Sequence, residues 1–184
     1  MKSLPIRPLT LITIVLATAL FRLIPHWPNF TPIAALALFG AAMFERKWLG
    51  LAAPLAAMFL SDALIGFHSS MGAVYLSFGL TWLLGVWMLR QPTAMRVAAA
   101  SVTASVVFFL ITNFAVWYGS VFYPQTAAGL LTCYVAGLAF YNGTSFFLNG
   151  LAGDLFFSAL LFGGYHLLQL RFGKLKPIRV RTNR

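Results

Sequence analysis

The sequence predicts an all-α integral membrane protein: six transmembrane helices in one bundle, a short additional helix on the outer side, and both termini in the cytoplasm. Three observations carry that prediction. The 184 residues are 60% hydrophobic and 9% charged, with a mean hydropathy of +0.85, more apolar surface than a water-soluble core can hide. The apolar runs are long enough to cross about 30 Å of hydrocarbon. They are separated by only a few residues, which predicts a single transmembrane domain over 1–171 and a basic cytoplasmic tail over 172–184. Finally, the basic residues flank the runs, so the net charge of +10 reads as a topology signal and not as a nucleic-acid surface.

Spans are expected near 8–25, 32–45, 48–67, 72–90, 94–118 and 147–171. The first apolar run is followed by Arg22 and Pro25 where a cleaved signal peptide would have small residues, so it is read as a helix. The connection RLIPHWPNFTPIAA, residues 22–35, holds Pro25, Pro28 and Pro32. Each proline fixes its own φ and pushes the residue before it toward extended geometry, so this turn is shaped and not floppy. Thr31 followed by Pro32 reads as an N-cap and first helical position. The second span is short and carries Ala34, Ala37, Gly40 and Ala41, small residues that let helices approach closely. The third contains Pro54, which bends a helix unless a neighbour satisfies the carbonyl it frees. Trp27, Trp48, Trp87, Trp117 and Tyr118 fall at span ends, where an interfacial aromatic belt belongs.

The stretch 126–141, TAAGLLTCYVAGLAFY, is apolar but only three or four turns long, so by length alone it is re-entrant, interfacial or a seventh span. The basic residues decide. With six spans and an inside N-terminus, 12 of the 13 Lys and Arg residues fall on the cytoplasmic side and only Arg22 does not. A seventh span would carry the basic tail outside, so 126–141 is placed outside or dipping into the outer leaflet.

Three charges lie within spans: Arg22, Asp62 and Asp154, all toward the outer side and at similar depth, with Asn113 and Asn149 in the same layer. Charges in spans face the bundle interior, either paired or lining a wet cavity. One reading is a structural ion pair from Arg22 to Asp62 or Asp154. The other is a polar pocket open to the outside and capped by His26, Asn29, His68 and the 119–147 loop. Two carboxylates against one arginine leave one acid needing another partner, such as Asn113, a histidine or a ligand, and that imbalance favours a pocket. Two histidines alone do not define a metal site. The single cysteine, Cys133, excludes an intrachain disulfide and reads as a small buried hydrophobe. HExxH, GxSxG and Walker patterns are absent, which argues against an enzyme and means that ATP-driven work would need a partner.

At RLIPHWPNFTPIAALALFGAAMFERKW, SDALIGFHSSMGAVYLSF, FFLITNFAVWYGSVFYPQTAAGLLTCYVAGLAFYNGTSF and GDLFFSALLFG, covering most of residues 22 to 164, the chain resembles a family of small bacterial six-helix membrane proteins. That family is similar to the substrate-binding S components of energy-coupling-factor vitamin transporters, nearest the solitary cobalamin transporter type. The resemblance implies inner-membrane uptake of a small organic solute, a vitamin or cobalamin, through a pocket at the outer face. Cobalamin would be the transported ligand and not a resident cofactor. Two departures stand out. The 68–80 stretch has Ser69, Ser70 and Ser77 but no cysteine to ligate cobalt, leaving His68 or His26 as the nitrogen ligand that could replace it. The first span offers only Thr13 and Ala17 where S components docking on a shared energising module repeat alanine, so the partner is such a module or none. The competing classes are a non-transporting subunit of a membrane complex and, third, an intramembrane enzyme.

Overall fold

A computed structural model describes residues 6–67, 69–139 and 145–175, the Lys174 side chain excepted. Its centre is α2 (Ile33–Met43), in which every residue from Ile33 to Ala41 is buried. A helix that is apolar all round belongs in a core, and the small residues of IAALALFGAAM admit neighbours on every side. Those neighbours are α1 (Ile6–Ala19, extended by a tighter turn over Leu20–Leu23), α3 (Lys47–Ile65), α4 (Met71–Met88), α5 (Ala94–Gly119) and α7 (Phe146–Ser158). Outside this ring α6 (Ala127–Leu138) packs on α5 and α7. Beyond Ser158 the helix passes through a π-helical turn, Ala159–Gly163, into α8 (Gly164–Arg171).

Five helical runs are long and apolar enough to cross a bilayer: Ile6–Leu23, Lys47–Ile65, Met71–Met88, Ala94–Gly119 and Phe146–Arg171. The protein is a multi-pass membrane protein, all-helical over its described residues. Its surface is apolar, with Leu64, Trp87, Leu131 and Leu167 well exposed, while Ser61, Ser77, Ser101, Ser105 and Ser158 are buried. Such a surface suits lipid, and the buried hydroxyls are satisfied inside, for example Ser77 onto the Ala73 carbonyl at 2.7 Å.

Two expectations shift. The span predicted over 32–45 is a helix of 11 residues, about 16 Å long. Thr31 is not its N-cap: that place belongs to Pro32, whose carbonyl accepts from the Leu36 amide at 2.8 Å. The cause lies one turn earlier. Asn29 takes a left-handed conformation (φ 62°), and the Thr31 amide folds back onto the Asn29 carbonyl at 2.9 Å, so the chain straightens into a helix one residue later.

Pro54 leaves α3 continuous. The carbonyl it deprives of a partner is that of Gly50, and a Cβ placed on Gly40 would sit 2.1 Å from that oxygen. Reciprocally, a Cβ on Gly50 would sit 2.2 Å from the Gly40 oxygen. The two helices therefore touch backbone to backbone, with Cα–H groups aimed at carbonyl oxygens. At the same end of the bundle Arg7 bonds Glu45 and the Met43 carbonyl, and Lys47 bonds the Ala41 carbonyl. The Gly173–Leu175 turn packs on α1 there, held by Tyr165 Oη donating to the Leu175 carbonyl at 3.1 Å. The predicted tail over 172–184 thus begins as packed structure through Leu175, and 176–184 lies outside the described residues. This is the basic end, and Arg22 lies at the other, the loop end.

Because no shift of a flexible side chain can admit a methyl at the Gly40–Gly50 crossing, Gly50→Ala should destabilise the protein by about 1–3 kcal/mol. Gly79→Ala on α4, where a Cβ meets nothing within 4 Å, should be close to neutral. Unfolding of the two variants side by side in detergent measures the difference.

Candidate functional site

The loop between α1 and α2 is fastened to the start of α7 by two amides acting in opposite directions. Asn29 Nδ2 donates to the Phe146 carbonyl at 3.3 Å, and Asn149 Nδ2 donates to the Pro28 carbonyl at 3.0 Å. Phe30 and Phe21 pack their rings on Phe157, with centroids 5.5 and 4.8 Å away, and Gly153 gives the loop backbone room to lie against the helix. The left-handed Asn29 is thus both the turn residue and one of the two ties.

Arg22 reaches from the last turn of the first helix to the end of α3. Its Nη2 pairs with Asp62 Oδ1 at 2.5 Å, while Nη1 donates to Ser61 Oγ and to the Met58 carbonyl. Tyr75 Oη on α4 donates to the other Asp62 oxygen at 2.8 Å. Across the bundle, Ser105 Oγ on α5 donates to Asp154 Oδ2 on α7 at 2.6 Å, and one turn toward the basic end Ser101 Oγ donates to Ser158 Oγ at 2.8 Å. The ion pairs among the described residues are Arg7–Glu45 and Arg22–Asp62, so the buried Asp154 has a hydroxyl for a partner and no cation.

α6 runs back along the outer half of α5. Tyr134 Oη donates to the Leu110 carbonyl at 2.9 Å, Cys133 Sγ to the Asn113 carbonyl at 3.4 Å, and Trp117 Nε1 to the Pro124 carbonyl at 2.9 Å. Gly137 leaves room there, since a Cβ would lie 2.5 Å from Asn113 Oδ1 and would displace that side chain.

Because α2 stops at Ile33, the loop end has no central helix, and a cavity of about 620 Å³ occupies its place. Ile33 and Ala34 form its floor, and Phe108, Phe109, Phe146 and Phe147 line it with Arg22 and Asp154. Its volume is in the range of small-molecule sites, which are apolar with a few placed polar groups.

Of the residues singled out from sequence, Arg22, Asn29, Asn113 and Asp154 line this cavity. Asp62 stands behind Arg22, outside the lining, and Asn149 is spent on the loop. His26 is half-buried, in contact with the Ile24 carbonyl at 2.6 Å through Nδ1, and does not line the cavity. His68 lies outside the described residues. Among the described residues no group of three or more His, Cys, Asp or Glu could hold a metal ion. Cys133, read as a mere buried hydrophobe, is indeed buried but also lines the cavity.

Residues 2–177 match the family model described as a family of unknown function, DUF6580. The chain belongs to DUF6580. No curated protein and no solved structure matches it. For this DUF6580 protein the geometry of the cavity is therefore the ground for a functional reading.

Removing one member of a buried ion pair costs about 3–5 kcal/mol because the other is stranded. Asp62→Asn should therefore cost that order of stability. Tyr75→Phe, which removes one hydrogen bond to a charged group, should cost about 1.5–3 kcal/mol. The Arg22→Gln, Asp62→Asn double variant should lose less than the sum of its single variants. A double-mutant cycle on unfolding checks all three values.

Proposed function

We propose that this protein captures a small organic solute from the outer face of the bacterial inner membrane, as S components of vitamin transporters do. The observation that carries this reading is the cavity at the loop end, floored by a central helix too short to fill it and walled by aromatic rings with the half-buried Arg22 and the buried Asp154. Binding, and not catalysis, is the reading, with the lipid bilayer and the solute as partners and an energy-coupling module as an optional third.

In this reading the chain crosses the membrane six times. The short α2 serves as the sixth crossing, since it connects the loop end to the basic end while screened from lipid by its neighbours. α6 dips into the outer leaflet beside α5, and the basic end faces the cytoplasm. A corrinoid is one candidate solute. The described residues offer it the Cys133 thiol in the cavity lining, whereas His26 points elsewhere. One observation favours a packing role for the Arg22–Asp62 pair taken alone: Asp62 is fully engaged by Arg22 and Tyr75 and lies outside the lining.

Two experiments test the proposal. Reporters fused after Arg184 and inserted between Glu45 and Lys47 should both report cytoplasm, and an external signal from either overturns the topology. Thermal unfolding of the purified protein against a vitamin panel that includes cobalamin should give a shift for one member. A ligand at a hundred times its Kd stabilises by about 2.7 kcal/mol. Ala136→Trp, which fills the cavity from a partly open position on α6, should abolish that shift. No shift from any member overturns the assignment of a vitamin, and a shift that survives Ala136→Trp overturns this cavity as the solute site.

A further inference from the structure

The charges around the cavity do not balance, and the imbalance has a sign. Arg22 and Asp154 are its charged lining residues among those described, and they are not equivalent. The Arg22 guanidinium is already matched by Asp62 at 2.5 Å, so that pair is neutral as a unit. Asp154 is 7% exposed and is bonded through Oδ2 to the Ser105 hydroxyl at 2.6 Å, a partner without charge. Among the described residues no hydrogen bond engages Oδ1. A buried carboxylate with no cation is costly to keep charged, and it is relieved by a proton, a counter-charge or a metal. The described residues supply neither of the last two.

The remaining wall suits the same missing charge. Phe108, Phe109, Phe146 and Phe147 line the cavity. The π-faces of such rings attract cations, more strongly where water is excluded. Arg22 uses three of its five N–H donors on Met58, Ser61 and Asp62, leaving two for an acceptor on the solute.

We propose that the solute is an organic cation: a molecule with a protonated nitrogen that pairs with Asp154 and an aromatic or apolar body that packs among the phenylalanines. This rests on the reading of the cavity as a solute site, and it narrows that site to one charge class. The counter-charge that the described residues do not supply is brought by the ligand, whose carbonyl or hydroxyl groups take the spare Arg22 donors.

The test uses trios of probes that share a body and differ in charge, with binding followed by isothermal titration on the purified full-length protein. Tryptamine, tryptophol and indole-3-acetate form the indole trio, and phenyl and pyridyl trios of the same design vary the body. The cationic member should bind at least about tenfold more tightly than its neutral and anionic partners in one trio or more, as a charge-assisted contact requires. Asp154→Asn keeps an oxygen for the Ser105 hydroxyl but removes the charge, and should erase the preference. Asp154→Glu should retain it. Ala136→Trp should abolish binding of every member that binds. A neutral or anionic member binding as well as the cation, or a preference that survives Asp154→Asn, overturns the charge assignment while leaving the solute site standing. The trios measured on the wild type decide this even if Asp154→Asn fails to fold. No binding in any trio, together with no shift from the vitamin panel, overturns both readings.

Discussion

A helix that is wrapped on every side need not reach across the bilayer, and the loop end of this molecule depends on that freedom. In hydrocarbon each backbone group must find its partner within the protein, which normally forces a spanning segment to be about 20 residues long. α2 is released from the length requirement because α1, α3, α4, α5 and α7 stand between it and the lipid. What makes the wrapping possible is the backbone contact of Gly40 with Gly50, together with Gly85 on α4, where a Cβ would lie 2.8 Å from Ala41 Cβ. Close approach at the basic end and a vacant centre at the loop end are consequences of one short helix.

Two kinds of buried charge result, and they differ in what surrounds them. Arg22 and Asp62 tie the ends of the first and third helices to α4 through a chain of bonds that ends on Tyr75. Removal of lipid and water from such a pair is offset by its completeness. Asp154 has instead the Ser105 hydroxyl and a face on the cavity. The first arrangement holds helices together, whereas the second leaves an acceptor unspent. Similar depth in the membrane, which is all that residue counting delivers, does not separate the two.

The long helices were legible because their apolar length and flanking charges are set by the bilayer itself: α5 follows the predicted 94–118 closely, and the continuous run Phe146–Arg171, from α7 through α8, follows 147–171. The layer of polar residues was legible for the same reason, since Arg22, Asp62 and Asp154 interrupt otherwise apolar runs. Its internal pairing was not. Tyr75 lies 13 residues after Asp62 on a different helix, so no local spacing joins them. Ser101 and Ser105 did carry a signal that went unread: their spacing of four matches that of Asp154 and Ser158, so antiparallel helices bring both pairs into register. Cys133 is buried as read, but its place in the cavity lining was not legible, because nothing near it in sequence indicates a cavity. Its place there follows from α6 folding back along α5, a contact made possible by Gly137.

Across its thickness the bundle divides into two halves with different contents. Toward the basic end Leu11, Phe39, Phe44, Leu89, Phe162 and Tyr165 join in one core, with the Phe39 ring set edge-on against Phe162 at 5.4 Å and Tyr165 at 5.7 Å. Toward the loop end the cavity opens above Ile33 and Ala34. On the reading proposed, a solute arriving from the loop end meets a packed floor, and delivering it to the other side requires that floor to part. The Gly40–Gly50 contact fixes α2 to α3, so local separation of those two would break that backbone-to-backbone crossing. On the reading proposed, release is then achieved more cheaply by movement of the bundle as a body, or of α4, α5 and α7 relative to the α2–α3 unit, than by opening a pore along α2. That requirement is the physical content of a capture protein as opposed to a channel.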